Sequence, residues 1–170
     1  TCSVEPGQRI ALPGGNGSGK TTLLRLLAGE ALPHDGTLTR LSGLTISCVP
    51  QDISQVRGSL RDLARARGAD LTLLMAILRK LDFPRSQFDR DMAEWSAGQR
   101  KKVLIACSLC ESAHLYLWDE PLNYLDVWSR MQVENLLLEF QPTMVFVEHD
   151  GAFCRRIATD VVNILPAAHS

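Results

Sequence analysis

The stretch RIALPGGNGSGKTTLLRLLAG, Arg9–Gly29, decides the reading of this chain. A short apolar run leads into a glycine-rich loop, and the loop opens onto a segment that turns Leu23, Leu24, Leu26 and Leu27 inward. That order predicts strand, loop and helix. The loop, GGNGSGKT at Gly14–Thr21, fits G-x-x-x-x-G-K-[ST]. Glycines let the backbone curl until successive N–H groups point at phosphate oxygens. The helix N-terminus adds unpaired N–H groups and a favourable dipole. Lys20 is placed to neutralise the β- and γ-phosphates, and the Thr21 hydroxyl to ligate Mg²⁺, a hard ion that prefers oxygen. The expected nucleotide cradle is Gly14, Gly15, Asn16, Gly17, Ser18, Gly19, Lys20, Thr21 and Thr22.

Beyond the loop, short apolar strands alternate with helical segments. GTLTRLSGLTISCVPQD reads as two short strands around Ser42-Gly43. Ser59 with Asp62 marks one helix start, and Asp70 begins a second helix that ends near Leu81, before Phe83-Pro84. Ala97–Cys110 is predicted helical, HLYLW a strand, Asp126 to about Phe140 a helix, TMVFV a strand, Asp150 the start of a short helix and DVVNIL a last strand. The alternation implies crossover connections and a mainly parallel sheet buried on both faces. The fold class is α/β, with residues 54–95 a strand-free helical subdomain inside a single unit spanning 1–170.

Bulk composition excludes several functions. The chain has 170 residues with 18 Lys+Arg against 19 Asp+Glu, so no global charge drives it toward nucleic acid or membrane. No apolar run approaches the roughly 18 to 20 residues needed to cross a bilayer. Thr1–Arg9 lacks the apolar core of a signal peptide. The expectation is a soluble, cytoplasmic chain with no direct membrane insertion. Five cysteines are present, with Cys107 and Cys110 forming a C-x-x-C. There is no second pair and His114 is not at finger spacing, so they read as small helix residues in a reduced compartment. The chain starts without Met only a few residues before its first strand, and is read as a fragment or excised domain lacking its N-terminal strands.

Two further features carry chemistry. HLYLWDEP places Asp119 and Glu120 at the C-terminal end of an apolar strand, the edge at which parallel sheets bind ligands. Asp119 is suited to hold Mg²⁺ directly or through water, and Glu120 to orient and polarise an attacking water. Gln51 and His149 end two other strands in equivalent positions, Gln51 offering a neutral oxygen to metal or water. The basic run Arg100, Lys101 and Lys102 reads as a solvated helix face, with contact to RNA phosphates as the alternative. Arg61, Arg65, Arg67, Arg79 and Lys80 make the helical segment locally basic.

These residues, in this order, resemble the nucleotide-binding domain of ATP-binding-cassette (ABC) proteins over nearly the whole chain: GGNGSGKTT, Gln51, SAGQ, LYLWDEP, NYLD and His149. The family signature is typically L-S-G-G-Q; WSAGQ keeps Ser96, Gly98 and Gln99, but has Trp95 for Leu and Ala97 for the first Gly. The resemblance implies ATP and Mg²⁺ as ligands, with Thr21, Gln51 and Asp119 toward the metal and Glu120, His149 and Gln51 as catalytic residues. It also implies that two cassettes pair head to tail. Ser96, Ala97, Gly98 and Gln99 then serve the partner's γ-phosphate, and Asp126 lies at the seam, where it also caps its helix. Because the composite site needs a second cassette, the isolated chain is expected to bind nucleotide weakly and turn it over negligibly. The adenine-stacking aromatic of such domains falls upstream of Thr1.

Within the family, SAGQRKKVLIACSLCESAHLYLWDEPLNYLD and FVEHDGAFC resemble the second cassette of ABC-F proteins, soluble twin-cassette ATPases of the ribosome. The nearest likeness is to the branch that protects ribosomes from antibiotics. PLNYLD stands where that class has P-T-N-H-L-D, with Leu122 and Tyr124 as departures. The interval from Lys20 to Gln51 leaves little room for the antiparallel β-subdomain usual in transporter cassettes. The implied partners are a second cassette in the same full-length chain and the ribosome or its RNA. The alternative is the motor domain of an ABC membrane transporter.

Overall fold

The protein is described by a computed structural model covering residues 2–14 and 19–164. Its elements run β1 (Arg9–Pro13), α1 (Lys20–Leu27), β2 (Ile46–Val49), α2 (Leu60–Arg67), α3 (Leu71–Lys80), α4 (Ala97–Cys110), β3 (Leu115–Asp119), α5 (Val127–Phe140), β4 (Met144–Glu148), α6 (Gly151–Ile157) and β5 (Asp160–Val161). Single 3₁₀ turns at Arg85–Gln87 and Met92–Glu94 connect α3 to α4. All strand pairs are parallel and the order is β2-β3-β4-β1-β5. The α/β class and the parallel sheet are those expected from the sequence.

The two-residue period of each strand divides the core between the two faces of the sheet. Ile10 and Leu12 of β1, Leu115 and Leu117 of β3, and Val145 and Val147 of β4 pack on one side with Leu24 of α1. Ala11, Trp118, Met144 and Phe146 face the other side, where α2, α3, α4, α5 and α6 contribute Leu60, Leu74, Val103, Val133 and Phe153. Phe146 is fully buried and meets Phe153 edge-on at 5.5 Å. Trp118 is also fully buried, and its indole N–H donates to Ser108 Oγ at 2.9 Å, whose hydroxyl meets Ser47 Oγ at 2.7 Å.

Helix ends follow local chemistry. Ser59 accepts from the Asp62 N–H, Asp70 from those of Thr72 and Leu73, Asp126 from that of Ser129 and Asp150 from that of Phe153. Ser96 and Gln99 form a reciprocal capping box at 3.1 Å each way. Trp95 is buried among Phe83 and Phe88, with its ring 4.8 Å from that of Phe83. The signature's first residue thus anchors α4 to the segment before it.

Three expectations need correction. Residues 36–45 carry one turn at Ser42-Gly43 but no first strand; 33–43 are exposed, no neighbouring strand offers a ladder, and Arg40 instead donates to the Leu27 carbonyl at 3.2 Å. The last strand is confined to Asp160–Val161. Lys101 is neither on a solvated face nor able to reach RNA. It is wholly buried, with Nζ donating to the Pro50 carbonyl at 3.3 Å, while Lys102 donates to the Leu81 carbonyl at 2.8 Å. The basic residues before α4 are partly neutralised as well, because Arg67 pairs with Glu111 at 3.0 Å and Lys80 with Glu139 at 2.8 Å.

Phe146→Ala removes a ring that fills the centre of one face and is expected to cost about 3–5 kcal/mol in denaturant unfolding. Hydrogen bonds from the N–H of Phe153 hold the Asp150 carboxyl below its ordinary value. A lowered folded-state pKa contributes stability above the unfolded value, about 3.9, and loses it as pH falls further. Asp150→Ala should therefore cost about 1 kcal/mol at neutral pH, with the difference from wild type shrinking below about pH 4.

Candidate nucleotide site

The register sets the site. Pro13 lies opposite Glu148 and Asp119 opposite Val147, so the C-terminal tips of β1, β4 and β3 end level with one another. Val49 lies opposite Trp118, which brings Gln51 to the same edge from β2. The segments leaving these tips are the phosphate loop, the His149 turn, the acidic turn and the Gln51 segment.

Directly after β1, Gly14 has a φ of +113°, and an added Cβ would stand 2.8 Å from Lys20 Nζ. Glycine suits that left-handed backbone angle. Lys20 opens α1 and is buried, preceded by Gly19 at φ +77°. Gly15, Asn16, Gly17 and Ser18 lie outside the described residues, while Thr21 and Thr22 sit exposed in the first turn of α1. Thr21 Oγ1 donates to Asp119 Oδ2 at 2.9 Å. Asp119 Oδ1 is buried without a hydrogen-bond partner. A hydroxyl beside a carboxylate that keeps one orphaned oxygen is a hard-oxygen set that fits Mg²⁺. Burial pushes the Asp119 carboxyl above its ordinary value; the Thr21 bond pulls it back, Glu120 raises it and Lys101 lowers it.

Glu120 is buried and takes a φ of +48°, a conformation that a sharp turn imposes on a non-glycine residue. Its N–H donates to the Val147 carbonyl at 2.8 Å, tying the turn to β4. Gln51 Nε2 and Asn123 Nδ2 both donate to Glu120 Oε2, at 2.8 and 2.7 Å. Gln51 therefore presents its amide nitrogen to the carboxylate expected to polarise water. A cleft of about 760 Å³ opens alongside, lined in part by Thr21, Leu24, Gln51, Asp119, Asn123 and Tyr124. His149 is exposed at the tip of β4, its Nδ1 3.4 Å from Glu148 Oε1.

Ser96 is exposed, and Ala97, Gly98 and Gln99 are half-buried; their hydrogen bonds close the helix end rather than reach Thr21 or Asp119. Gly98 has a further constraint. A Cβ there would lie 2.8 Å from the Tyr124 carbonyl oxygen, and Tyr124 itself sits at φ +70°. The start of α4 and the turn before Asp126 are thus pressed together inside one chain. Asp126 caps α5 through the Ser129 N–H at 2.7 Å, and Arg130 joins this region to the His149 turn by bonds to the Leu125 carbonyl and Asp150 Oδ2.

Sequence reasoning gave no role to Asn123 or Glu148 and placed Lys101 on a solvated face. Asn123 had a signal, an amide three residues after Glu120 in a turn. Glu148 had one as well, a charged residue closing an otherwise apolar strand. Lys101 had none, since its burial arises only from packing. Cys107 is buried and Cys110 half-buried on α4, and loss of solvent raises their thiols to about 12 and about 11.

A family model described as ABC transporter matches residues 1–123. The ATP-binding protein Uup of Caulobacter vibrioides is 30% identical over 165 residues, covering 92% of this chain and 27% of that protein. An antibiotic resistance protein of Mycobacteroides abscessus is 31% identical over 210 residues, covering 96% of this chain and 38% of its own length. Among solved structures, an archaeal ribosome recycling factor, aABCE1, in complex with the ribosomal stalk protein aP1, is 28% identical with a TM-score of 0.78. It covers 94% of this chain and 32% of that one. The chain thus spans well under half the length of these curated relatives.

Gly98→Ala should force the turn at Tyr124 to move, costing about 1–3 kcal/mol in unfolding measurements. The same substitution should raise hydrogen exchange of residues 122–126 while leaving β1 unchanged.

Proposed function

The chain belongs to the ABC transporter family of ATPase domains, and we propose that it is an ATP-hydrolysing cassette of the ABC-F type, acting on the ribosome in the full-length protein. As a member of that family it is a nucleotide-binding domain of the ATPase class. The observation that carries the reading is the level edge at which Thr21 meets Asp119 while Gln51 and Asn123 hold Glu120.

In the proposed mechanism, the loop at Gly14–Thr22 and Lys20 bind the phosphates, and Thr21 with Asp119 would hold Mg²⁺. The ion supplies charge neutralisation of the phosphoryl oxygens. Glu120 orients and polarises the attacking water. Both side-chain bonds from Gln51 and Asn123 fall on its Oε2, which keeps the carboxylate in one rotamer. His149 lies one strand away, where an imidazole can meet the γ-phosphate. Ser96, Ala97, Gly98 and Gln99 offer a helix N-terminus to the γ-phosphate bound by a second cassette, with Asp126 at the seam between them. ATP then bridges two cassettes, and hydrolysis releases them.

The ribosomal assignment is supported by the likeness to Uup, to the antibiotic resistance protein and to the ribosome recycling factor. Among the described residues no helix is long and apolar enough to cross a membrane. A cytoplasmic location fits this reading.

Glu120→Gln in the full-length protein, with the matching change in its other cassette, should lower kcat by about 10²–10⁴-fold and trap the ATP-bound form. That form is expected to co-sediment with ribosomes in ATP and not in ADP. A folded, ATP-binding protein that never pellets with ribosomes would sink the ABC-F assignment and favour a transporter motor.

A further inference from the structure

We propose that Glu148 is a positioning residue for ATP hydrolysis, a buried strap whose carboxylate fixes the spacing between the acidic turn after β3 and the His149 turn after β4. The proposal rests on the ATPase reading above. β4 reads MVFVE, and its first four residues are apolar and buried. Packing alone would accept a fifth apolar residue. Instead the strand ends in a carboxylate that is 1% exposed. A buried carboxylate is costly unless its oxygens are satisfied, and here they are satisfied by backbone on both sides. Oε2 accepts the Leu122 N–H at 3.2 Å, while Oε1 accepts those of His149 at 3.0 Å and Asp150 at 3.3 Å. The residue's own carbonyl accepts the Gly14 N–H at 3.3 Å. One residue therefore touches the phosphate loop's first glycine, the turn that carries Glu120 and the turn that carries His149.

A lysine of α4 stands within electrostatic reach of this carboxylate. Lys101 is buried without exposed surface, donates to the Pro50 carbonyl and is drawn electrostatically to Asp119, Glu148 and Glu120. Leu122 lies two residues beyond Glu120, so the bond to its N–H sets the height of a turn already strained at φ +48°. The neutral isostere cannot reproduce this. Glutamine has one acceptor oxygen and an NH₂, so one of the two turns would face donor against donor. Aspartate is one methylene shorter and cannot reach both turns.

The test compares wild type, Glu148→Gln, Glu148→Asp and Val145→Ala in the full-length protein, measuring kcat and KM for MgATP and peptide-resolved hydrogen exchange. For Glu148→Gln the expected result is a fall in kcat of about 10–100-fold with KM nearly unchanged. Faster exchange should appear in the 120–125 and 149–150 segments, and not in 144–147. Glu148→Asp should fall between Gln and wild type. It also carries the test if the Gln variant does not fold. Val145→Ala, which removes buried packing alone, should lower thermal stability without lowering kcat per folded molecule. A Glu148 variant with wild-type kcat, with a raised KM at unchanged kcat, or with unaltered exchange at 120–125 would overturn the strap. If wild type itself hydrolyses no ATP, the ATPase reading has failed, and the exchange pattern alone decides whether Glu148 holds the two turns.

Discussion

The arrangement depends on the parallel register of β1, β4 and β3. Pairing Pro13 with Glu148 and Val147 with Asp119 makes three strands end at one level. A side chain or loop leaving any of them then enters the same space. The register is itself held by burial. Each strand is apolar on both faces, and a one-residue slip would exchange Ala11, Trp118 and Phe146 with Leu12, Leu117 and Val147 across two differently shaped cores. Hydrophobic packing deep in the molecule thus fixes the geometry of polar groups at its edge.

Those polar groups are held by short-range bonds that would be weak in water and are effective here because the site is desolvated. Asp119, Glu120 and Glu148 are all nearly buried, with a buried Lys101 within electrostatic reach of them. Carboxylates this close repel one another, and backbone N–H groups, two side-chain amides, a threonine hydroxyl and the lysine offset that repulsion. The constraint reaches outward as well. Lys101 lies on the same helix as Ser96–Gln99, and Gly98 of that helix presses on Tyr124. The element proposed to sense a partner's nucleotide is therefore mechanically continuous with the turn that carries Glu120.

The motifs were legible because each is a local requirement. A loop that wraps phosphate must be glycine-rich and precede a helix, and a metal-binding carboxylate must close an apolar strand. Helix starts at Ser59, Asp70, Ser96, Asp126 and Asp150 were legible for the same reason, since a cap is decided within three residues. The segment 36–45 misled because β-branched and apolar residues suit a strand only when a neighbour supplies its hydrogen bonds. Lys101 misled in the other direction. On a helix whose residues 103–109 are all buried, the chain at Pro50 after β2 also covers a position that charge alone would leave in water.

The sequence by itself determined the α/β class, the phosphate loop, the acidic pair and the signature, since these rest on spacings within a few residues of one another. Tertiary structure alone decided which groups meet. It turned Gln51 and Asn123 onto one oxygen of Glu120, buried Lys101 within electrostatic reach of the acidic cluster and made Glu148 a link between two turns. These contacts join residues that are up to 69 positions apart, as in Gln51 with Glu120. Only the register of the folded sheet brings them within hydrogen-bond reach.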